Sequence, residues 1–225
     1  MTVITVDAVL FDNDGTLIDS TPGVYAAWGT FGKEYGFDGE VAAHETHGRR
    51  LIDSLHEWCH LEGQKLEDEV RRFEQEVIDV GPIILPGVKE LLDSIKAEES
   101  EERPGWTICT SATRWYAPAA LAKAGVPLPM HLVTSDDVAK GKPFPDPYLA
   151  GAMKCNVKPE NCLVVEDAPS GIKSGKAAGS KTLAVCTSHT REAIAAFEPD
   201  YLVEDLSRVK ARWVGKQIEL TLDES

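Results

Sequence analysis

The sequence contains no apolar run near the roughly 18 residues that a membrane-spanning helix needs, and no basic stretch opens it: Met-Thr-Val-Ile-Thr-Val meets an acid at Asp7. No export leader is expected. Its five cysteines, Cys59, Cys109, Cys155, Cys162 and Cys186, are odd in number, and no two are spaced C-x-x-C. That excludes a disulfide framework and the common zinc and dithiol motifs. Cys109, Cys162 and Cys186 stand in or beside apolar, strand-like runs and read as small core residues of a reduced protein. Positive charge is also scarce: 23 Lys and Arg stand against 37 Asp and Glu, for a net charge of −14. No basic cluster with interleaved aromatics offsets it, so nucleic acid and anionic membrane are excluded as partners. A small phosphorylated molecule stays open, because a few local cations reverse the field at a site. The expectation is a soluble cytoplasmic protein, a monomer with a dimer as the alternative.

At 225 residues the chain can form one large domain, or a core carrying a smaller insertion. Short apolar runs at Val6–Phe11, Trp106–Cys109, His131–Val133, Cys162–Val165, Thr182–Val185 and Tyr201–Val203 read as buried strands. Helix-like stretches alternate with them: Gly87–Lys96, Tyr116–Ala124, Pro147–Cys155, Gly171–Ala178, Arg191–Phe197 and Asp205–Trp213. Strands alternating with helices predict an α/β fold on a Rossmann-like parallel sheet. Residues 20–85 break the rhythm. They show no strand and three or four helices, the clearest at Gly23–Tyr35, Ile52–His60 and Glu67–Val80. We expect a core of residues 1–19 and 86–225 with a small helical cap inserted at 20–85.

Ligands of open α/β sheets lie at the carboxyl ends of the strands. Asp12 and Asp14 follow the first expected strand, Thr110 and Ser111 the second, and Glu166 and Asp167 the fourth; Lys142 lies in the loop beyond the third. Four acids in one cleft repel one another unless a cation joins them. Carboxylate-rich oxygen ligation suits Mg²⁺, which takes phosphate oxygens as further ligands. In Asp12-Asn13-Asp14 an extended chain points both carboxylates the same way. An ionised aspartate can attack phosphorus without a base, while its neighbour handles the proton. A hydroxyl and a lysine can hold the phosphoryl oxygens. Ser111 alone would also serve as a helix N-cap, and Lys142 alone as a surface lysine. The three prolines at Pro143, Pro145 and Pro147 stiffen the lysine's loop.

Phe-Asp-Asn-Asp-Gly-Thr-Leu at 11–17, Thr-Ser-Ala-Thr at 110–113, Gly-Lys-Pro-Phe-Pro-Asp-Pro-Tyr at 141–148 and the stretch from Val-Glu-Asp-Ala-Pro-Ser-Gly at 165–171 to Gly179 resemble, in order, the four motifs of the haloacid dehalogenase-like hydrolases. The resemblance covers nearly the whole chain. It implies Asp12 as nucleophile, Asp14 as acid/base, and Ser111, Ala112 and Lys142 at the phosphate. It also implies Mg²⁺ on Asp12, the Asp14 carbonyl and Asp167, with Glu166 at or near the metal. The wording is most similar to fungal 2-deoxyglucose-6-phosphate and glycerol-3-phosphate phosphatases, which implies a sugar or polyol phosphate as substrate. Asn13 departs from the usual hydrophobic residue, and its side chain is expected to point away from the substrate.

The cap should select the substrate. Among His44, His47, Arg49 and Arg50, Arg50 matches an arginine of the resembling phosphatases and is expected to reach the substrate, with His47 helping. Asp19 and Ser20 before Pro22 read as helix N-cap chemistry, and Trp115 and Tyr116 as the aromatics nearest the site. The alternatives are a sugar phosphomutase of the β-phosphoglucomutase kind, a non-catalytic phosphate-binding protein, and a prenyl-diphosphate enzyme.

Overall fold

A computed structural model describes residues 1–225. In chain order the elements are β1 (Thr2–Val6), β2 (Ala8–Phe11), β3 (Ile18–Asp19), α1 (Thr21–Tyr35), α2 (Gly39–Glu45), α3 (Leu51–Cys59), α4 (Gly63–Val80), β4 (Ile83–Ile84) and α5 (Val88–Lys96). There follow β5 (Trp106–Cys109), α6 (Tyr116–Ala124), β6 (Leu132–Val133), α7 (Asp146–Lys154), β7 (Cys162–Glu166), α8 (Pro169–Ala177), β8 (Lys181–Val185), α9 (Arg191–Ala195), β9 (Tyr201–Val203), β10 (Val209–Val214) and β11 (Gln217–Leu222).

A strand covered on both faces needs apolar residues at every position. Ala8, Val9, Leu10 and Phe11 are all fully buried, and β2 lies at the centre of a six-stranded sheet of order β6-β5-β2-β7-β8-β9. Every pairing in it is parallel. The carboxyl ends of β2, β5 and β7 are therefore neighbours on one edge, and the loops bearing Asp12, Ser111 and Glu166 start side by side.

Between β3 and β4 the chain forms four helices. Asp38 caps α2 by accepting from the N–H groups of Glu40 and Val41, and Gly36, at φ +84°, closes α1 in the left-handed conformation. Buried Leu66, Val70, Phe73, Glu74 and Val77 make one stripe along α4, the spacing of a helix face. Entry and exit of this helical unit run side by side, because Ile18–Asp19 pairs antiparallel with Ile83–Ile84. Ile83–Ile84 is a strand where the sequence reading expected none.

The C-terminus departs further. Asp205–Trp213, expected as a helix, is one 3₁₀ turn at Leu206–Arg208 followed by β10. From Val209 to Val214 burial alternates with period two, which a strand satisfies and a helix does not. β11 alternates likewise, burying Ile218, Leu220 and Leu222. It lies between β1 and β10 in a separate antiparallel sheet that ties the two termini together; Thr2–Val6 and Gln217–Leu222 were not expected as strands.

Candidate active site

The hydrogen bonding of β2 continues one residue past the strand, where the Asp12 N–H donates to Val165 O at 2.9 Å. The chain then folds back: Asn13 O accepts from the N–H groups of Thr16, Leu17 and Ile18. Gly15 turns at φ +87°, and a Cβ there would overlap the Asp167 carboxylate. Glycine meets both demands.

Asp12 is buried, and Lys142 Nζ lies 2.5 Å from its Oδ1 and 2.5 Å from Glu166 Oε1. The Glu166 carboxylate is fully committed. Oε1 also accepts from the Tyr148 hydroxyl at 2.5 Å, and Oε2 accepts from the Asp167 and Ala168 N–H groups, each at 3.2 Å. Glu166 thus anchors the lysine beneath Asp12. Asp167 accepts from Thr16 Oγ1 at 3.1 Å and faces His47 Nε2 at 3.0 Å. Burial, with Glu166 and Asp167 adding to it, pushes the Asp12 carboxyl up against the pull of Lys142. Burial alone would raise Asp167 too, but His47, Ser188 and Lys142 outweigh it and hold that carboxyl low. Burial alone would lower His47; Asp167, Asp12 and Glu166 beside it win and raise it to about 9.

Asp14 has different company. The Tyr116 hydroxyl donates to Oδ1 at 2.7 Å, and Asn13 Nδ2 donates to Oδ2 at 3.0 Å. Asn13 is fully buried and outside the cavity lining, and its side chain bonds the second carboxylate. Burial raises the Asp14 carboxyl, and the Ser20, Tyr116 and Asn13 donors only partly offset this. Ser20 stands at the N-cap of α1 without capping it, while Asp19 Oδ1 accepts from the Thr21 N–H at 3.0 Å.

Asp12 and Asp14 form the floor of a cavity of about 130 Å³ between the helical unit and the sheet edge, and Ser111, Ala112 and His47 join them in its wall. Ser111 does not cap a helix; its Oγ donates to Gly48 O of the helical unit at 3.0 Å. Arg50 is outside the cavity. It grips Asp53 with Nε and a terminal nitrogen at 2.7 and 3.1 Å, and reaches Ala139 O at 3.3 Å. Arg49, which the sequence reading set aside, is among the residues lining the cavity, with its guanidinium paired to Glu57 Oε2 at 2.6 Å. Glu74 and Tyr116 line it as well. Tyr116 was flagged by its place after Ser111, while Glu74 was missed although it is the one acid on the buried stripe of α4.

Asp12, Glu166 and Asp167 are all buried and offer oxygens within 4.8 Å of one another. Three carboxylates against Lys142 and His47 still leave negative charge that a divalent cation balances, so the residues present fit such an ion. No helix is long and apolar enough to cross a membrane.

A parallel α/β core with two aspartates on its edge, beneath a unit of four helices, is the architecture of a hydrolase class that comparison with known proteins identifies. The profile of the haloacid dehalogenase-like hydrolases matches residues 6–179, and the chain belongs to that family. Hexitol phosphatase A of Escherichia coli is 38% identical over 181 residues, covering 78% of this chain and 81% of its own. Glycerol-1-phosphate phosphohydrolase 2 of Saccharomyces cerevisiae is 34% identical over 212 residues, covering 89% and 80%. A beta-phosphoglucomutase of Clostridium difficile shares the fold at a TM-score of 0.75 and 21% identity, covering 91% of this chain and 93% of its own.

Proposed function

We propose that the protein is a phosphatase of sugar or polyol monophosphates that works through an aspartyl-phosphate. The observation that carries this reading is the unlike company of two carboxylates on one cavity floor: Lys142 on Asp12, Tyr116 and Asn13 on Asp14. Asp12 attacks phosphorus, the ester P–O bond breaks, and the leaving alcohol takes the proton of Asp14. Water then attacks the acyl phosphate, Asp14 accepts its proton, and inorganic phosphate leaves with Asp12 regenerated. Lys142 and Ser111 hold the phosphoryl oxygens, with Ala112 beside them; the Ala112 N–H itself donates to Thr110 Oγ1 at 3.1 Å. Mg²⁺ would be held by Asp12, Asp167 and the Asp14 carbonyl, with Glu166 behind them, and would supply positive charge against the transferring phosphoryl group. Residues 20–85 form the cap, and His47 and Arg49 are its polar contacts to the substrate; Arg50 instead secures it to the core.

Phosphatases named for a hexitol and for glycerol 1-phosphate among the relatives support this substrate class. The cavity argues against a mutase: besides His47 its lining has Arg49 as its one cation, beside Val24, Trp28, Leu51, Phe73 and Val77. A second phosphate would find little charge there.

Phosphate release from glycerol phosphates, hexitol phosphates and p-nitrophenyl phosphate should require Mg²⁺, stop with EDTA, and fall at least about 10³-fold in Asp12→Asn, whose amide is no nucleophile. Full activity of Asp12→Asn, or indifference to EDTA, would overturn the nucleophile or the metal.

A further inference from the structure

The inward stripe of α4 carries one acid among apolar residues, and a carboxylate there needs a reason. Glu74 is 4% exposed and pairs with no cation. Its Oε1 accepts from the Thr113 N–H at 3.2 Å and its Oε2 from Thr113 Oγ1 at 2.6 Å. Thr113 lies two residues after Ser111, on the core side of the cavity. Its hydroxyl, having donated to Glu74, accepts from the Tyr116 N–H at 3.1 Å. Tyr116 opens α6, so this bond sets how that helix starts and where its ring points. The Tyr116 hydroxyl then donates to Asp14 Oδ1 at 2.7 Å. Burial and the neighbouring Asp14 push that phenol up, so it keeps its proton and acts as a donor.

We propose that Glu74, Thr113 and Tyr116 form a relay from the cap to the core that positions the Asp14 carboxyl for proton transfer to the leaving alcohol. The inference rests on the reading of Asp14 as the acid. Tyr116 fixes the plane of the carboxyl and stays as a donor to the carboxylate left behind when the proton departs, which favours the transfer. Glu74 is the only member on the cap. Proton transfer is therefore efficient when α4 is seated and the Thr113 bonds are made, and poorer when the cap lifts away. Tyr116, Thr113 and Glu74 are positioning residues; the proton itself moves from Asp14 to the ester oxygen as that P–O bond breaks.

The test compares two leaving groups. Glycerol needs a proton to leave, whereas p-nitrophenolate does not. Tyr116→Phe should lower kcat/KM on a glycerol phosphate about tenfold or more, and on p-nitrophenyl phosphate less than about threefold. Thr113→Val and Glu74→Gln should show the same selective loss, smaller for Glu74→Gln, and Thr113→Ser should restore the glycerol phosphate rate. Because the three act as a unit, Thr113→Val with Tyr116→Phe should lose less than the product of the two single losses. Equal losses on both esters, multiplicative losses in the double variant, or no rescue by serine would each overturn the relay. If Tyr116→Phe does not fold, the Thr113→Val and Thr113→Ser pair makes the same comparison. Asp14→Asn, read in kcat/KM, which reports the step up to alcohol release and not the later attack of water, separates the two readings. If its kcat/KM falls equally on both esters, Asp14 is not the acid and the mechanism itself fails. If it is selective while Tyr116→Phe is not, only the relay falls.

Discussion

At the scale of single residues, the site is organised by how each charge is answered. Lys142 is buried between Asp12 and Glu166, 2.5 Å from each, and nothing else in the core of that cluster is a permanent cation. Removing it leaves two buried carboxylates unanswered. Breaking a buried pair from one side costs about 3–5 kcal/mol, so Lys142→Met should lose that much in urea unfolding. A loss below about 1 kcal/mol would show that the cluster is hydrated or charge-balanced without the lysine. The four acids, the hydroxyl and the lysine were legible in the sequence because each follows a strand of one parallel sheet. What was not legible is orientation. Nothing in the spacing shows that Glu166 spends both oxygens on Lys142, Tyr148 and two N–H groups. Nor does it show that Arg50 turns to Asp53 and Arg49 to Glu57, with Arg49 the one of the two that lines the cavity. Both arginines precede α3, which begins at Leu51, and Arg50 is extended at its N-cap, so no helical period sets which of them meets the cavity.

At the scale of elements, α4 carries a measurable consequence. Burial raises Glu74 from 4.5 to about 7, with Asp14 and Asp136 adding and the Thr113 donors opposing. A carboxyl whose folded value is raised binds more protons folded than unfolded, so its stability contribution is full below about 4.5 and is lost as pH rises through about 7. At about 1.4 kcal/mol per pKa unit, the slope between pH 5 and 7 amounts to roughly 2–3 kcal/mol. Urea unfolding at stepped pH should show that slope in the wild type and lose it in Glu74→Gln. The same slope in both proteins would place the titration elsewhere. The apolar stripe of α4 made that helix readable, and Glu74, standing on it, was the signal that went unused. The misread C-terminal segment teaches the same lesson. Asp205 does what an N-cap does, accepting from the Ser207 N–H at 2.8 Å, but the residues after it alternate with period two. A start signal without a helical period beyond it makes one turn, not a helix. Gln-Ile-Glu-Leu-Thr-Leu at 217–222 alternates cleanly and was readable by the same criterion.

At the scale of the whole molecule, the question is how the helical unit seats on the sheet edge. The polar fastenings are Ser111 Oγ to Gly48 O, His47 to Asp167, Glu74 to Thr113, and Arg50 to Ala139 O, beside the packing of α4 on α6 and of the Arg71 guanidinium over the Trp115 ring. Each hydrogen bond among them joins a loop at the sheet edge to the helical unit, and the chain crosses between the two parts at the pairing of β3 with β4, extended by the Leu85 N–H to Leu17 O bond at 3.1 Å. On the proposed reading, a narrow tether beside this seam lets the helical unit act as a lid that opens for substrate and closes for chemistry. Gly48 sits on the seam at φ +73°, where a Cβ would come within 2.8 Å of Ala168 Cβ and against Ser170 Oγ. A branched side chain there cannot settle into either body, because it lies between them. Gly48→Val should therefore hold the cap off the core: kcat should fall about tenfold or more on every ester, about 1.4 kcal/mol of barrier. Because the wedge acts at the seam and not in the core of either part, the thermal midpoint should move by only a few degrees. Steady-state kinetics beside a thermal melt decides it. Unchanged kcat would mean that chemistry does not need this seating, and a collapse of the melt would mean that the seam is part of the fold itself.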